Sequence, residues 1–321
     1  MTFKNQRLQK FTMCQWIFQV FFLLFLAGCS QTSTFKTSSD AWRDNIEISV
    51  SPLGKAAEWR ALNRLAYGPT PQLVSQIQLA PSPLAWANSQ LDEALRASRL
   101  PPKLPADLLS IGASLPEIFD GARKEREARA TVSASSPINE NLPNEKRFDF
   151  SVEAEPYFFN RTQLNKGVAW RLASCSDDDI EQPLLARMTE FWFNHFNVYQ
   201  QKGTVRPFAG HYAIHVARAH ALGRFEDLVL ASAKHPAMLY YLDQWLSVNP
   251  QVNRDGQVVR GLNENYAREI MQLFSIGLRR LHPDGTMVLD GAGLPANTYE
   301  QPEVVGLAHV FTGWNFSTNG N

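Results

Sequence analysis

The sequence predicts a mainly α-helical, multi-helix globular domain with at most a small β-hairpin near 281–290. Three observations lead there. From Leu53 onward, apolar residues recur at spacings of three and four, the period of one helix face. Proline and glycine stand at the ends of these runs and seldom inside them. Runs that alternate apolar and polar residues are scarce.

The first helix is Gly54–Ala66 (GKAAEWRALNRLA), closed by Gly68-Pro69. Pro71–Gln78, Pro83–Arg96 and Pro116–Ala130 each begin on a proline, whose fixed φ suits the first helical turn. Thr131 to Phe148 is polar, holds two prolines and has no period, so an exposed insertion loop is expected at 131–148. Helices follow at Tyr157–Ala173, Asp179–Val198, Pro207–Leu222 and Phe225–Ala233, and His235-Pro236 opens another that runs to about Leu246. Asn263–Ile276 carries the clearest signals: Asn263 as N-cap, Glu264 in the first turn and Gly277 as the stop. Turn signals at Leu281–Thr286 and Asp290-Gly291 flank the short run Met287–Leu289, hence the hairpin. No internal repeat of constant period is visible, and a solenoid is not expected.

Ahead of this domain the chain changes character. Lys4, Arg7 and Lys10 precede the apolar run Ile17–Ala27, which is short for a membrane span and ends on small residues. Leu26-Ala27-Gly28-Cys29 resembles the lipobox of bacterial lipoprotein signal peptides, with cleavage before Cys29 and lipid on its thiol. The expected organisation is a signal peptide at 1–28, a flexible Ser/Thr-rich tether at 29–52, and the helical domain at 53–321. The expected location is the bacterial envelope; Ser30 after Cys29 fits an outer-membrane lipoprotein facing the periplasm or the surface.

Composition narrows the partners. Lys plus Arg and Asp plus Glu both number 31, so the chain has no overall attraction for nucleic acid. With Cys14 in the signal and Cys29 lipidated, Cys175 is alone in the mature chain and no internal disulfide can form. Cys175 lies in an apolar helical pattern and reads as a small packed hydrophobe.

Three constellations carry chemistry. In Glu190-Phe-Trp-Phe-Asn194-His195-Phe-Asn197, helical geometry puts His195 beside Leu184, Met188 and Phe191 in the apolar stripe, apart from the polar strip of Arg187, Glu190, Asn194 and Asn197. A core histidine held by one hydrogen bond and an acid–base group on a cleft floor both fit that placement. His211-x-x-x-His215 places two imidazoles on one helix face, but Tyr212 replaces the glutamate of the zinc-protease pattern, so no metal set is assembled. Asn263-Glu-Asn-Tyr-Ala-Arg-Glu269 gives a wheel with Tyr266, Ala267, Ile270, Met271, Leu273 and Phe274 on one face. Glu264, Asn265, Arg268, Glu269, Gln272 and Ser275 lie on the other. A capped amphipathic helix explains this, and so would a site whose carboxylates, carboxamides and guanidinium orient a water or a sugar hydroxyl. Asn253-Arg-Asp255-Gly256 faintly resembles a calcium loop but fails at Gln251 and Leu262.

Together the segments Leu62–Thr70, Phe191–Phe196, His220–Phe225, His235–Asp243, Asn263–Ile270 and Phe311–Trp314 resemble, in order, the bacterial family known as domain of unknown function 1800. The resemblance implies an exported, mostly helical protein, often encoded beside relatives of the alkaline-phosphatase and sulfatase superfamily, with no activity attached. Many members have a histidine where Phe193 stands, and Glu-Leu-His where Gln272-Leu273-Phe274 stands. Members also usually continue well past the Phe-Thr-Gly-Trp motif, so the chain looks C-terminally incomplete.

Two functional classes are expected to compete. One is a lipid-anchored envelope protein that binds an envelope protein or glycan, reaching the membrane through its N-terminal lipid. The other is an envelope hydrolase or metal-dependent enzyme. It would use His195, Glu264, Arg268 and Glu269 for catalysis, and Asn194, Asn263, Asn265 and Trp314 for substrate binding. No cofactor is specified by the sequence.

Overall fold

The structure is a computed structural model and describes residues 54–135 and 157–315. The signal peptide, Cys29, the tether and most of the expected insertion loop lie outside the described residues.

The described chain is mainly helical. α1 (Gly54–Leu65), α2 (Pro71–Leu79) and α3 (Pro83–Ser98) come first. Thr70 and Ser82 cap the latter two by accepting the Leu73 and Ala85 N–H groups, and proline opens each. A 3₁₀ segment, Ala106–Gly112, leads to α4 (Leu115–Ser135), so helix continues through the first residues of the expected loop. α5 (Phe159–Ser176) and α6 (Pro183–His195) follow. α6 starts later than the periodicity suggests, because Pro183 takes the first helical position and Gln182 caps it.

α7 (Ala209–Tyr212) continues as a π turn over Ala213–Arg218. α8 (Phe225–Lys234) and α9 (Pro236–Tyr241) meet at His235, which caps α9. α9 stops short of Leu246 because Asp243 turns left-handed, with φ of 56°. Two strands not anticipated from sequence, β1 (Gln251–Val252) and β2 (Val258–Arg260), pair antiparallel. Asn253–Gly256 is simply their turn: Asn253 Oδ1 accepts the N–H groups of Asp255 and Gln257.

α10 (Asn265–Glu269) passes into a π turn, Ile270–Phe274. The capping position falls to Glu264, while Asn263 Oδ1 still accepts the Asn265 N–H at 2.9 Å. The π turn also corrects the helical wheel. Hydrogen bonds reaching five residues back widen the turn, and Leu273, expected on the apolar face, is 60% exposed. Gly277 ends the segment as expected, at φ 72° with its N–H on the Met271 carbonyl. α11 (Gln301–Val310) completes the described helices. Glu300 and Glu303 form a reciprocal capping box at its start.

The expected hairpin near 281–290 is instead part of a closed three-part ring. Arg280 N–H donates to Ala296, Ala296 to Val288, and Val288 back to Arg280. The residues on either side bridge in the same cycle: Leu281 with Met287, Leu289 with Pro295, and Asn297 with Arg279. The outer bonds His282 to Thr286, Asp290 to Leu294 and Thr298 to Leu278 repeat it again, all at 2.8 Å. Left-handed Gly277, Gly285 and Gly293 mark the eight-residue period. An internal repeat is therefore present, encoded in backbone conformation with little recurrence of side-chain type.

The main core gathers Trp170, Phe193, Phe196, Tyr212, Met238 and Tyr266, with smaller clusters under α1–α3 and between α3 and α6. α5 and α7 cross at their glycines. A Cβ on Gly167 would lie 2.7 Å from Gly210 Cα, so neither position has room for a side chain. Arg218, Glu181 and the end of α3 are also locked together. The two charged side chains are 5% and 4% exposed, and Arg218 reaches the Leu100 and Ala97 carbonyls as well.

Candidate functional site

His195 is the last residue of α6 and sits half-buried within a ring of aromatics. Its imidazole lies edge-on to Trp192, Phe196 and Phe225, at centroid distances of 5.6, 4.7 and 6.4 Å, and 6.3 Å from Phe274. Nε2 lies 3.0 Å from the Phe274 carbonyl. The contact joins α6 to the far end of the α10 segment, at its π turn, and not to the polar residues at its start. Trp192 Nε1 donates to the Ala221 carbonyl at 2.9 Å, tying the same aromatic group to the turn before α8. Asn194 is exposed beside it.

The polar residues of 263–269 have other work. Asn263 donates its N–H to Ser247 Oγ and its Nδ2 to the Asp243 carbonyl, at 3.1 and 3.2 Å. Asn265 Nδ2 donates to the Leu242 carbonyl at 3.3 Å. Both carboxamides thus hold down the left-handed turn at Asp243, whose carboxylate takes the Lys202 ammonium at 2.6 Å. Glu264 receives Arg268 at 3.0 Å and the Gln301 amide at 2.6 Å, and Arg268 also donates to Gln301 Oε1. Gln301 stands 37 residues from Glu264, too far along the chain for local spacing to signal the contact. Glu269 is half-buried with no partner among the described residues.

Trp314 packs on Phe311 at 5.1 Å, and Phe311 packs on Tyr266 at 5.3 Å. The Phe311 carbonyl accepts the buried Gln244 amide, and Gly313 N–H donates to the Ser247 carbonyl. The structure therefore assembles Asn263, Asn265 and Trp314 around the turn at 242–247, and places His195, on α6, against the opposite end of the 265–274 segment.

A third group is better buried. The His211 and His215 rings stack at 4.0 Å, and His211 Nδ1 lies 2.9 Å from His235 Nε2. A third histidine joins this pair, His235, signalled in the sequence only as a residue before proline at a helix start. Ala237 N–H donates to His235 Nδ1 at 3.1 Å, which fixes the tautomers. His235 carries its proton on Nε2 and donates it to His211 Nδ1, so the His211 proton sits on Nε2. In this arrangement neither ring of the pair presents a lone pair to a metal, which needs one. Burial holds His211 down at about 3 and His235 well below the usual imidazole range; burial also lowers the exposed His215. Arg218, one turn along, belongs to the Glu181 pair and takes no part here.

Cys175 is half-buried and pairs with the Tyr67 hydroxyl; burial pushes its thiol above the ordinary range, which disfavours the thiolate.

The motifs resembling a known family meet across one fold, and a family model described as Protein of unknown function (DUF1800) matches residues 60–321. The chain belongs to the DUF1800 family. No curated protein and no solved structure matches it.

Within this DUF1800 chain, Phe193 and Phe274 both belong to the aromatic packing of the main core. Phe193 is in the main core with the Arg171 guanidinium 3.7 Å above its ring. Phe274 is part of the aromatic surround of His195. No helix among the described residues is long and apolar enough to cross a membrane.

Proposed function

We propose that the protein is an exported, lipid-anchored envelope protein whose helical domain acts by binding an envelope protein or a surface glycan. The observation that carries this reading is Leu26-Ala27-Gly28-Cys29 behind a basic start and an apolar run. A diacyl group on Cys29 gives two buried chains, enough for stable anchoring, and 29–52 would set the reach of the domain. The geometry of the polar motif supports binding over catalysis. A general acid or base needs a proton or lone pair facing the substrate. Glu264 and Arg268 instead face each other and Gln301, Asn263 and Asn265 hold backbone carbonyls, and His195 faces the Phe274 carbonyl.

Expression of the full chain in a bacterial host with an alkyne-tagged fatty acid tests the anchor. Label on the wild type and none on Cys29→Ser is the expected result, and unlabelled wild type overturns it. Co-isolation of an envelope protein or glycan from detergent extracts tests the binding role; a clean monomer across detergents and salt concentrations overturns that half.

One observation favours an envelope hydrolase as the second reading. Glu269 keeps a half-buried carboxylate without a protein partner among the described residues. Hydrolysis of a glycan or ester that Glu269→Gln abolishes, at unchanged thermal stability, would support it.

A further inference from the structure

The ring at 278–298 turns large apolar side chains to solvent: Leu281, Met287, Leu289 and Leu294 are 55, 55, 58 and 62% exposed. Bridged residues share one side of a strand pair, and so do residues two apart along a strand. The bridges of Leu281 with Met287 and of Leu289 with Pro295 therefore make one continuous apolar side. The formal charges of the ring cancel, since Arg279 and Arg280 stand against Asp284 and Asp290. Both aspartates also serve its corners, accepting the N–H groups of Thr286, Ala292 and Leu294.

Area and chain length decide what covers this side. The four exposed side chains offer roughly 400 Å², half of the ~800 Å² per partner of a standard protein interface. A second copy or another folded protein is poorly served by so small a face. A bilayer needs no matching surface and gains from each apolar group inserted. The chain ahead of the domain points the same way, resting on the lipid anchor proposed above. A Ser/Thr-rich coil of residues 29–52 has an r.m.s. span of about 25–30 Å. The bilayer holding Cys29 would then be a constant neighbour of the domain, at high effective concentration.

We propose that the 278–298 ring lies in the headgroup layer of the bilayer that anchors the chain, with Leu281, Met287 and Leu289 reaching the upper acyl segments. At that depth water still reaches the main-chain groups left outside the cycle. Arg279 shares this side, and its long stem lets the guanidinium rise to the lipid phosphates.

The full chain, purified from a bacterial host and reconstituted in vesicles of zwitterionic phosphatidylethanolamine and phosphatidylcholine, tests this. A minority of the lipid carries a diazirine on its acyl chain. Light fixes that lipid to the side chains it touches, and peptide mapping locates the adducts. Adducts at least about ten-fold denser over 278–298 than over α1–α3 are expected. Joint Leu281→Ser, Met287→Ser and Leu289→Ser should lower them about ten-fold at unchanged melting temperature. Leu79→Ser, at a leucine 87% exposed outside the ring, should change nothing. Adducts spread evenly, a ring yield unmoved by the triple change, or ring-to-ring cross-links between copies in place of lipid overturn the proposal. Should the triple variant melt early, Met287→Gln alone, close in shape, must still lower the yield, and an unmoved yield overturns the proposal equally. An alkyne label on Cys29 reads the anchor separately. Labelled chain without ring adducts sinks this proposal alone, and ring adducts on unlabelled chain sink only the anchor.

Discussion

His235 donates a hydrogen bond from Nε2 to His211 Nδ1 across 2.9 Å, and its own Nδ1 caps α9. Two neutral imidazoles thus join α7 to α9 in the interior. Between about 3 and the usual 6.5, the unfolded chain takes up protons that folded His211 refuses, and His235 is depressed in the same sense. Their contribution is therefore complete above pH 6.5 and is lost as pH falls through that window. Each group adds a slope of up to about 1.4 kcal/mol per pH unit. Chemical denaturation at stepped pH should show stability falling steadily below pH 6.5. His235→Asn, which keeps an acceptor for the Ala237 N–H, should flatten that fall.

The Arg218–Glu181 pair should tolerate joint replacement better than single loss. Arg218→Met strands a buried carboxylate, and a loss of about 3–5 kcal/mol is expected. Adding Glu181→Gln removes the stranded charge and should recover part of it. Urea unfolding of the two variants decides: a double variant less stable than the single one contradicts this account.

Gly167→Ala should destabilise by about 2–3 kcal/mol or more, because its Cβ meets backbone at 2.7 Å and neither helix can give way alone. Gly285→Ala and Gly293→Ala make a useful contrast. Each has φ near 80° and open space around a Cβ, so only conformational strain of about 1–2 kcal/mol applies. Thermal melts should rank Gly167 as clearly the worst.

Asn263 offers a test of its structural role. Asn263→Ala loses the N–H it accepts from Asn265 and the bond it donates to the Asp243 carbonyl, and should cost about 1–2 kcal/mol. Asn263→Asp keeps the first and loses the second, and should fall between Ala and wild type. Unfolding midpoints measure both; identical effects of Ala and Asp would remove the Asn265 N–H bond from the explanation.

Much of the fold was legible because it is written locally. Proline at helix starts, Thr70, Ser82 and Gly277 act on residues within a turn of themselves, and the expected helices lie close to the observed ones. What escaped was written across distance or in backbone alone. Both π turns depart from the α period, so the wheel misplaced Leu273. The eight-residue ring escaped because its hydrogen bonds are made by main chain, and little recurs in its sequence beyond glycine. At the candidate site, the composition of 263–269 showed which groups gather there, but not their partners. Asp243, Leu242 and Gln301 lie 20 to 37 residues away, and they decide whether a carboxamide or carboxylate is available to a ligand.

The ring at 278–298 has a consequence for how this surface can change. Its shape is held by a cycle of main-chain bonds, with large side chains such as Leu281, Met287, Leu289 and Leu294 turned outward. Substituting those side chains leaves the cycle intact, provided Gly285 and Gly293 remain. The segment is thus a frame whose contents are replaceable, where new chemistry can be grafted without renegotiating the helical core.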